Sequence, residues 1–388
     1  MPIVNRLAEL ADDIAAWRHD LHRHPEILYE VHRTAATVAE KLRAFGVDEV
    51  TTGIGRTGVV GVIHGRGNGS GRVVGLRADM DALPLLEETG ADYASTIPGK
   101  MHACGHDGHM AMLLGAARYL AETRNFDGTA VLVFQPAEEG GGGGKAMIED
   151  GLMDRWNIQE VYGMHNMPGM AVGTFGINPG PMLASTDEFT ITITGRGGHA
   201  AKPHETVDPI VVGAAMVQAL QTIVSRNVDP LDSAVVSTTR FHAGDAYNII
   251  VPAAEVAGTV RTLRAPVRDF VDARIRAIAA QIAAAHGATA VVDYDRNYPV
   301  TRNHPEQAAF AAEIASEIVG EARVDRETPP IMAGEDFSYM LEARPGAFIF
   351  IGNGDSAGLH SPLYDFDDAA IPFGSSYFVR LVEKAMTA

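Results

Sequence analysis

The run Ala130-Val131-Leu132-Val133-Phe134-Gln135-Pro136-Ala137-Glu138-Glu139-Gly140 decides how the rest of the chain is read. Five apolar residues ended by Pro and Gly describe an inner strand that hands its last residues to a loop. Functional groups of α/β proteins sit at such strand ends. Neighbouring side chains leave an extended backbone on opposite sides, so one carboxylate can hold a metal while the other faces substrate or water. A solvated acidic turn is the plain alternative. The glycines Gly140 to Gly144 do not make a phosphate-binding loop. Glu139 takes the first glycine position, and Ala146 stands where a magnesium-binding Ser or Thr belongs.

Upstream, Val73-Val74-Gly75-Leu76-Arg77 reads as a second strand running into Ala78-Asp79-Met80-Asp81-Ala82-Leu83-Pro84. Asp79 and Asp81 alternate, so they share a face. They can bind metal or orient a histidine behind it, or simply form a turn. Next comes Lys100-Met101-His102-Ala103-Cys104-Gly105-His106-Asp107-Gly108-His109. Its glycines suggest a turn before a helix over Met110 to Thr123. A thiolate there is expected to have a lowered pKa. Cys104 and His106 can converge on one ion, with His102, Asp107 and His109 in support. Downstream, Val161-Tyr162-Gly163-Met164 is a strand ending in His165-Asn166, and His360 lies on the loop after the strand Ala347 to Gly352. The first part of the chain, to about residue 45, reads as amphipathic helix broken at His24-Pro25. His22, His24 and Glu26 are ligand types, but their spacing fits no metal site and they read as a polar helix end.

The texture changes after Asn178-Pro179-Gly180-Pro181. Strand and helix patterns then follow in the order βαββαβ, that of a ferredoxin-like domain. The expected organisation is a catalytic domain in two parts, 1–181 and 298–388, with an inserted domain at 182–297. The fold class is α/β, a mixed-sheet catalytic domain with an inserted ferredoxin-like α+β domain.

The chain has 388 residues, 46% hydrophobic and 21% charged, enough for a sizeable core in two domains. A net charge of −18 argues against nucleic-acid partners and against anionic membranes. The start, Met1-Pro2-Ile3-Val4-Asn5-Arg6, lacks a signal-peptide pattern, and no apolar run is read as long enough to span a bilayer. The one cysteine forms no internal disulfide, so a reducing cytoplasm is expected.

Cys104, His106, Glu138, Glu139, His165 and His360 together offer S, N and O donors. That mixture suits Zn, Mn, Co or Ni rather than Ca or Mg. Five ligands exceed the need of one tetrahedral ion and suit two divalent metal ions per chain. Such a centre polarises a carbonyl and activates a water, with a nearby carboxylate as general base. Either Glu138 or Glu139 can be that base on spacing alone. No Gly-x-Ser-x-Gly elbow or His-Glu-x-x-His helix offers another hydrolytic route.

These motifs resemble the metal-dependent aminoacylase and hippurate hydrolase family, which includes plant auxin-conjugate hydrolases and belongs with carboxypeptidase-G-type and succinyl-diaminopimelate desuccinylase enzymes. The matching segments begin with Arg18-His19-Asp20-Leu21-His22-Arg23-His24-Pro25-Glu26, Arg77 to Pro84, His102 to Asp107 and Gln135 to Glu139. Gly197-Gly198-His199-Ala200-Ala201, Ala333-Gly334-Glu335-Asp336-Phe337 and His360-Ser361-Pro362 follow in the same order. The resemblance implies that Cys104, His106, Glu139, His165 and His360 are metal ligands and Glu138 the catalytic base. It implies that the inserted domain is a lid and dimerisation domain. It also implies that His199 stabilises the oxyanion in a neighbouring active site, and that Asn248 and Arg261 hold the substrate carboxylate. Asp79 and Asp81 depart from the superfamily's His-x-Asp and are left behind the ligands. The implied activity is hydrolysis of N-acyl amino acids by a metal-activated water, in a homodimer or higher homo-oligomer acting on a small molecule. A dedicated biosynthetic deacylase, such as an N-acetyl-diaminopimelate deacetylase, is the alternative. A peptidase, a carbamoyl hydrolase and a non-catalytic metal or ligand binder remain open.

Overall fold

The computed structural model describes residues 3–67 and 69–387. Met1 and Pro2 of the chain start, and Asn68 of the glycine-rich 65–71 stretch, lie outside them. The chain divides into two compact units. The first takes Met1–Met182, Arg302–Pro329 and Asp336–Ala388, and the second Leu183–Thr301 and Pro330–Glu335.

The first unit is built on an eight-stranded mixed sheet. Its strands lie in the order Glu49–Ile54, Gly58–His64, Thr129–Gln135, Val73–Asp79, Glu160–Met167, Gly346–Gly352, Phe175–Gly176 and Val324–Asp325. The central four, Thr129–Gln135, Val73–Asp79, Glu160–Met167 and Gly346–Gly352, run parallel to one another. Their near-continuous burial explains the apolar runs that marked them as inner strands. All four therefore present their C-terminal ends along one edge, where ligand sites of α/β sheets form. The helix His106–Thr123 is buried on almost every side and packs against Ala11–Arg23 and Ile371–Ala385. That placement explains why its sequence lacks a clear polar face.

The second unit is a four-stranded antiparallel sheet in the order Ala234–His242, Ala253–Thr262, Ser185–Thr194, Thr289–Arg296. The helices Pro209–Thr222 and Ala265–Ala285 complete the βαββαβ order of a ferredoxin-like unit. Asp208 caps the first of them, its side chain accepting from Ile210 N at 2.9 Å. Within the 19-residue run Pro209–Asn227 an 18-residue window has a mean hydropathy of 1.2, so by length and composition alone the run is long and apolar enough to span a membrane, against the expectation above. Val212, Met216, Leu220 and Ile223 on its inner face fill the core of this unit.

Candidate metal centre

Each strand end of the first unit delivers one part of a buried polar cluster. Asp79 and Asp81 follow Val73–Asp79, Glu138 and Glu139 follow Thr129–Gln135, and His165 ends Glu160–Met167. Cys104 and His106 bracket Gly105 at the start of the long helix. Buried Arg77 ties the ends together, donating to Asp79 Oδ2 (2.7 Å), Gln135 Oε1 (2.9 Å) and Asp336 Oδ1 (3.0 Å).

The potential donor atoms converge in overlapping groups. Cys104, His106 and His165 form one, and Cys104, Glu139 and His360 another, each with its atoms within 4.8 Å of one another. Cys104 is common to both. Cys104 Sγ lies 3.4 Å from His165 Nε2, and Glu139 Oε1 lies 3.4 Å from His360 Nε2 and 4.0 Å from His106 Nε2. His106 Nε2 and Glu139 Oε1 are buried and make no hydrogen bond. Two buried groups left this way ordinarily cost a few kcal/mol, so their lone pairs call for a ligand.

The histidine tautomers are set by backbone. His106 Nδ1 donates to the Asp81 carbonyl at 2.7 Å, and His165 Nδ1 donates to the Asn166 carbonyl at 2.7 Å. A carbonyl only accepts, so both Nε2 atoms are left to face the cluster. His360 sits half-exposed at φ 62°, a left-handed conformation unusual for a residue with a Cβ. Its N–H donates to the Ala103 carbonyl at 2.8 Å, tying its loop to the Cys104 turn.

Electrostatics point the same way. Burial, then Glu139 and Glu138, push the Cys104 thiol well above its ordinary value. This reverses the expected lowering, because acidic neighbours and desolvation outweigh the helix N-terminus. Burial opposes charge on His106, but Asp79, Asp81 and Glu139 outweigh it and raise it to about 10. Burial, then the neighbouring His109, drives His165 well below its usual value. Carboxylates and a thiol packed this closely fit a divalent cation, which would favour the deprotonated ligands.

The carboxylate pair differs from expectation in geometry. Ala137 adopts φ 55°, and Glu138–Glu139 lie in a turn rather than on extended backbone. Asp81 grips that turn, Oδ1 accepting from Glu138 N (2.9 Å) and Oδ2 from Glu139 N (3.1 Å). His24 ends the helix Ala11–Arg23 as the polar end expected, its Nδ1 donating to the Asp20 carbonyl at 2.8 Å, whereas His22 just before it does not face solvent. His22 is buried between Asp107 (2.8 Å) and Glu87 (3.3 Å), and Arg18 is buried on Asp107 (3.1 Å) and Asp368 (2.5 Å). Glu26 accepts from Arg33 N and Thr34 N, capping the helix His32–Ala44.

Residues 75–384 match the profile of Peptidase family M20/M25/M40. The chain belongs to this family. It is 43% identical to a hippurate hydrolase of Campylobacter jejuni, over 99% of both chains. It is 38% identical to an N-acetylcysteine deacetylase of Bacillus subtilis, over 94% of both. A solved structure from Bacillus subtilis, described as a dinuclear metal-binding peptidase of the M20 family, superposes with a TM-score of 0.85 at 34% identity. That superposition covers 98% of this chain and 99% of the other. The M20 chain described here is thus a metal-dependent amidohydrolase by family, with an α/β mixed-sheet fold.

Three further residues named from the sequence lie in the second unit. His199 is exposed on a two-residue ribbon with Ile249, its Nδ1 accepting from Ala201 N at 3.0 Å. Asn248 is exposed, its carbonyl accepting from Ala200 N. Arg261 is half-buried on the strand Ala253–Thr262, where it donates to the Val260 carbonyl and to Thr259. Sequence reasoning missed the hold of Asp81 on the Glu138–Glu139 turn. Its one signal was the alternation with Asp79.

Proposed function

We propose that this chain hydrolyses the amide bond of N-acyl amino acids to a carboxylic acid and a free amino acid. The observation that carries the reading is the convergence of Cys104, His106, Glu139, His165 and His360, with Glu138 beside them. In this reading those five would hold two divalent ions. Bound there, the ions supply Lewis acidity to the amide carbonyl and acidify a water. Glu138 takes the proton from the attacking water and passes it to the leaving amine. Asp81, through the amides of Glu138 and Glu139, keeps the base and the ligand carboxylate in register. The hippurate and N-acetylcysteine activities in the relatives' names support N-acyl amino acids as the class.

The finer roles follow from the resemblance. His199 stabilises the tetrahedral oxyanion of a neighbouring protomer's site, and Asn248 and Arg261 hold the substrate carboxylate. The second unit acts as lid and dimerisation domain. Its exposed Ile210, Val211, Val224 and Ile249 are apolar surface that a second copy would cover. Light scattering at twice the 41.3 kDa chain mass is expected, and a strictly monomeric mass would remove this role. A cytoplasmic location suits the thiol ligand Cys104, and cell fractionation tests it.

The deciding experiment follows free-amine release from N-acetyl, N-benzoyl and longer N-acyl amino acids, with manganese- or zinc-loaded protein and a chelated sample alongside. Metal-dependent release across several members is expected. Release confined to one diaminopimelate derivative would favour the dedicated deacylase. Silence on every member, with two ions bound, would overturn hydrolysis of this class.

A further inference from the structure

The residue after His165 touches every segment that carries a candidate ligand of the first unit's long helix, strand and C-terminal loop. Asn166 is fully buried. Its backbone carbonyl accepts from His165 Nδ1 at 2.7 Å. Its side-chain Nδ2 donates to the Cys104 carbonyl at 2.7 Å and lies 3.1 Å from His109 Nε2. Its Oδ1 accepts from the Tyr364 hydroxyl at 2.8 Å, and Tyr364 stands four residues beyond His360. Its backbone N–H donates to His109 Nε2 at 2.9 Å. That last bond places the His109 proton on Nδ1, from where it goes to Asp79 Oδ1 at 2.7 Å.

The fit leaves no slack. Gly105, between Cys104 and His106, has φ +86°. A Cβ there would come within 2.3 Å of Asn166 Nδ2 and 2.4 Å of the Tyr364 hydroxyl. A side-chain amide also offers what this place requires: donors toward Cys104 and His109, and an acceptor toward Tyr364. A carboxylate of the same shape would set oxygen against the Cys104 carbonyl and the His109 lone pair.

We infer that Asn166 is a positioning residue of the metal centre, its amide locking the Cys104 turn, His165 and the His360 loop into one geometry. The inference rests on the metal-dependent reading above. Partners that orient ligands from behind typically contribute 10- to 100-fold in metal affinity.

The test uses metal-free protein titrated with cobalt(II) against a competing chelator, for wild type, Asn166→Asp, Asn166→Ala and Tyr364→Phe. Affinity and the near-ultraviolet thiolate-to-cobalt absorption of Cys104 are both read. Asn166→Asp and Asn166→Ala should weaken cobalt binding by about 10- to 100-fold and alter the thiolate band. Tyr364→Phe should weaken it less, in the same direction. Ile314→Val, a core change in the first unit, should lower thermal stability and leave both metal readouts alone. Wild-type affinity and spectrum in the Asn166 variants would overturn the inference, as would an equal loss in Ile314→Val. If the Asn166 variants do not fold, Tyr364→Phe decides by the same criteria, since it removes a single oxygen atom. The amine-release panel is read separately. Wild-type silence there, with cobalt weakened in the variants, would sink the proposed substrate class and leave Asn166 in its role.

Discussion

Replacing Asp81 by Asn separates two jobs that one residue performs. The Asp81 backbone carbonyl orients His106 at 2.7 Å, and the substitution keeps it. The carboxylate holds the amides of Glu138 and Glu139 at 2.9 and 3.1 Å, and what changes is that grip together with the negative charge 3.7 Å from His106 Nδ1. An asparagine retains one acceptor and turns an NH₂ group toward the other N–H, donor against donor. The loss is one charge-assisted bond, about 1.5–3 kcal/mol, plus part of the cost of a shielded N–H without a partner. A total of about 2–4 kcal/mol corresponds to a roughly 30- to 900-fold shift from the set turn toward displaced ones. Turnover of the best acyl substrate at saturating metal should fall by at least about tenfold, and by no more than about 10³-fold. The metal site should lose affinity mainly through Glu139, leaving the Cys104–His106–His165 group able to bind one ion. Steady-state kinetics with metal analysis after dialysis reads both. Turnover within twofold of wild type, with two ions retained, would refute the argument that Asp81 sets the turn.

Glu138→Ala should retain bound metal and lose about 10²–10⁴-fold in turnover, and near-normal rates would exclude it as the base. Arg18→Met removes the cation from buried Asp107 and should cost about 3–5 kcal/mol, lowering the melting temperature by about 4–9 °C. A drop under about 2 °C would show that His22 alone suffices for Asp107. Burial opposes charge on His22, yet Asp107 and then Glu87 outweigh it and hold its pKa up at about 9. A raised folded value means the stabilisation is full below the unfolded value near 6.5 and lost as pH rises through 9. The stability gap between wild type and His22→Gln should therefore shrink by up to about 3 kcal/mol between pH 6 and 10. A gap that stays constant over that range would contradict the pairing.

The inner strands were readable because burial on both faces leaves long apolar runs such as Ala130 to Phe134. The edge strand Glu49–Ile54 was not, since its exposed, threonine-rich surface carries no such run. The short helix Phe337–Ala343 begins at the last residue of the matching segment Ala333–Phe337 and at seven residues is too short to show a helical period. Candidate ligands stood out by type and by their place at strand ends. What surrounds them did not, because it depends on contacts across long stretches of chain. Asp81 meets a turn 57 and 58 residues away, Arg18 meets Asp107 across 89, and Tyr364 meets Asn166 across 198. Such pairs leave no local periodicity to read. The Cys104 acidity was misjudged for a related reason. The helix start is visible in the sequence, whereas Glu138 and Glu139 reach the thiol only through folding.

The position of Gly346–Gly352 in the sheet has a consequence for synthesis. That strand pairs in parallel with Glu160–Met167, yet roughly 180 residues separate them in the chain. At about 5–20 residues per second on the ribosome, the interval is about 10 to 40 s. During that time the emerging Glu160–Met167 strand lacks its partner, and His165 has been made without His360. The inserted residues are translated while that edge waits. Chaperone demand for this protein should accordingly fall in the middle of translation, before the final sheet partner leaves the exit tunnel.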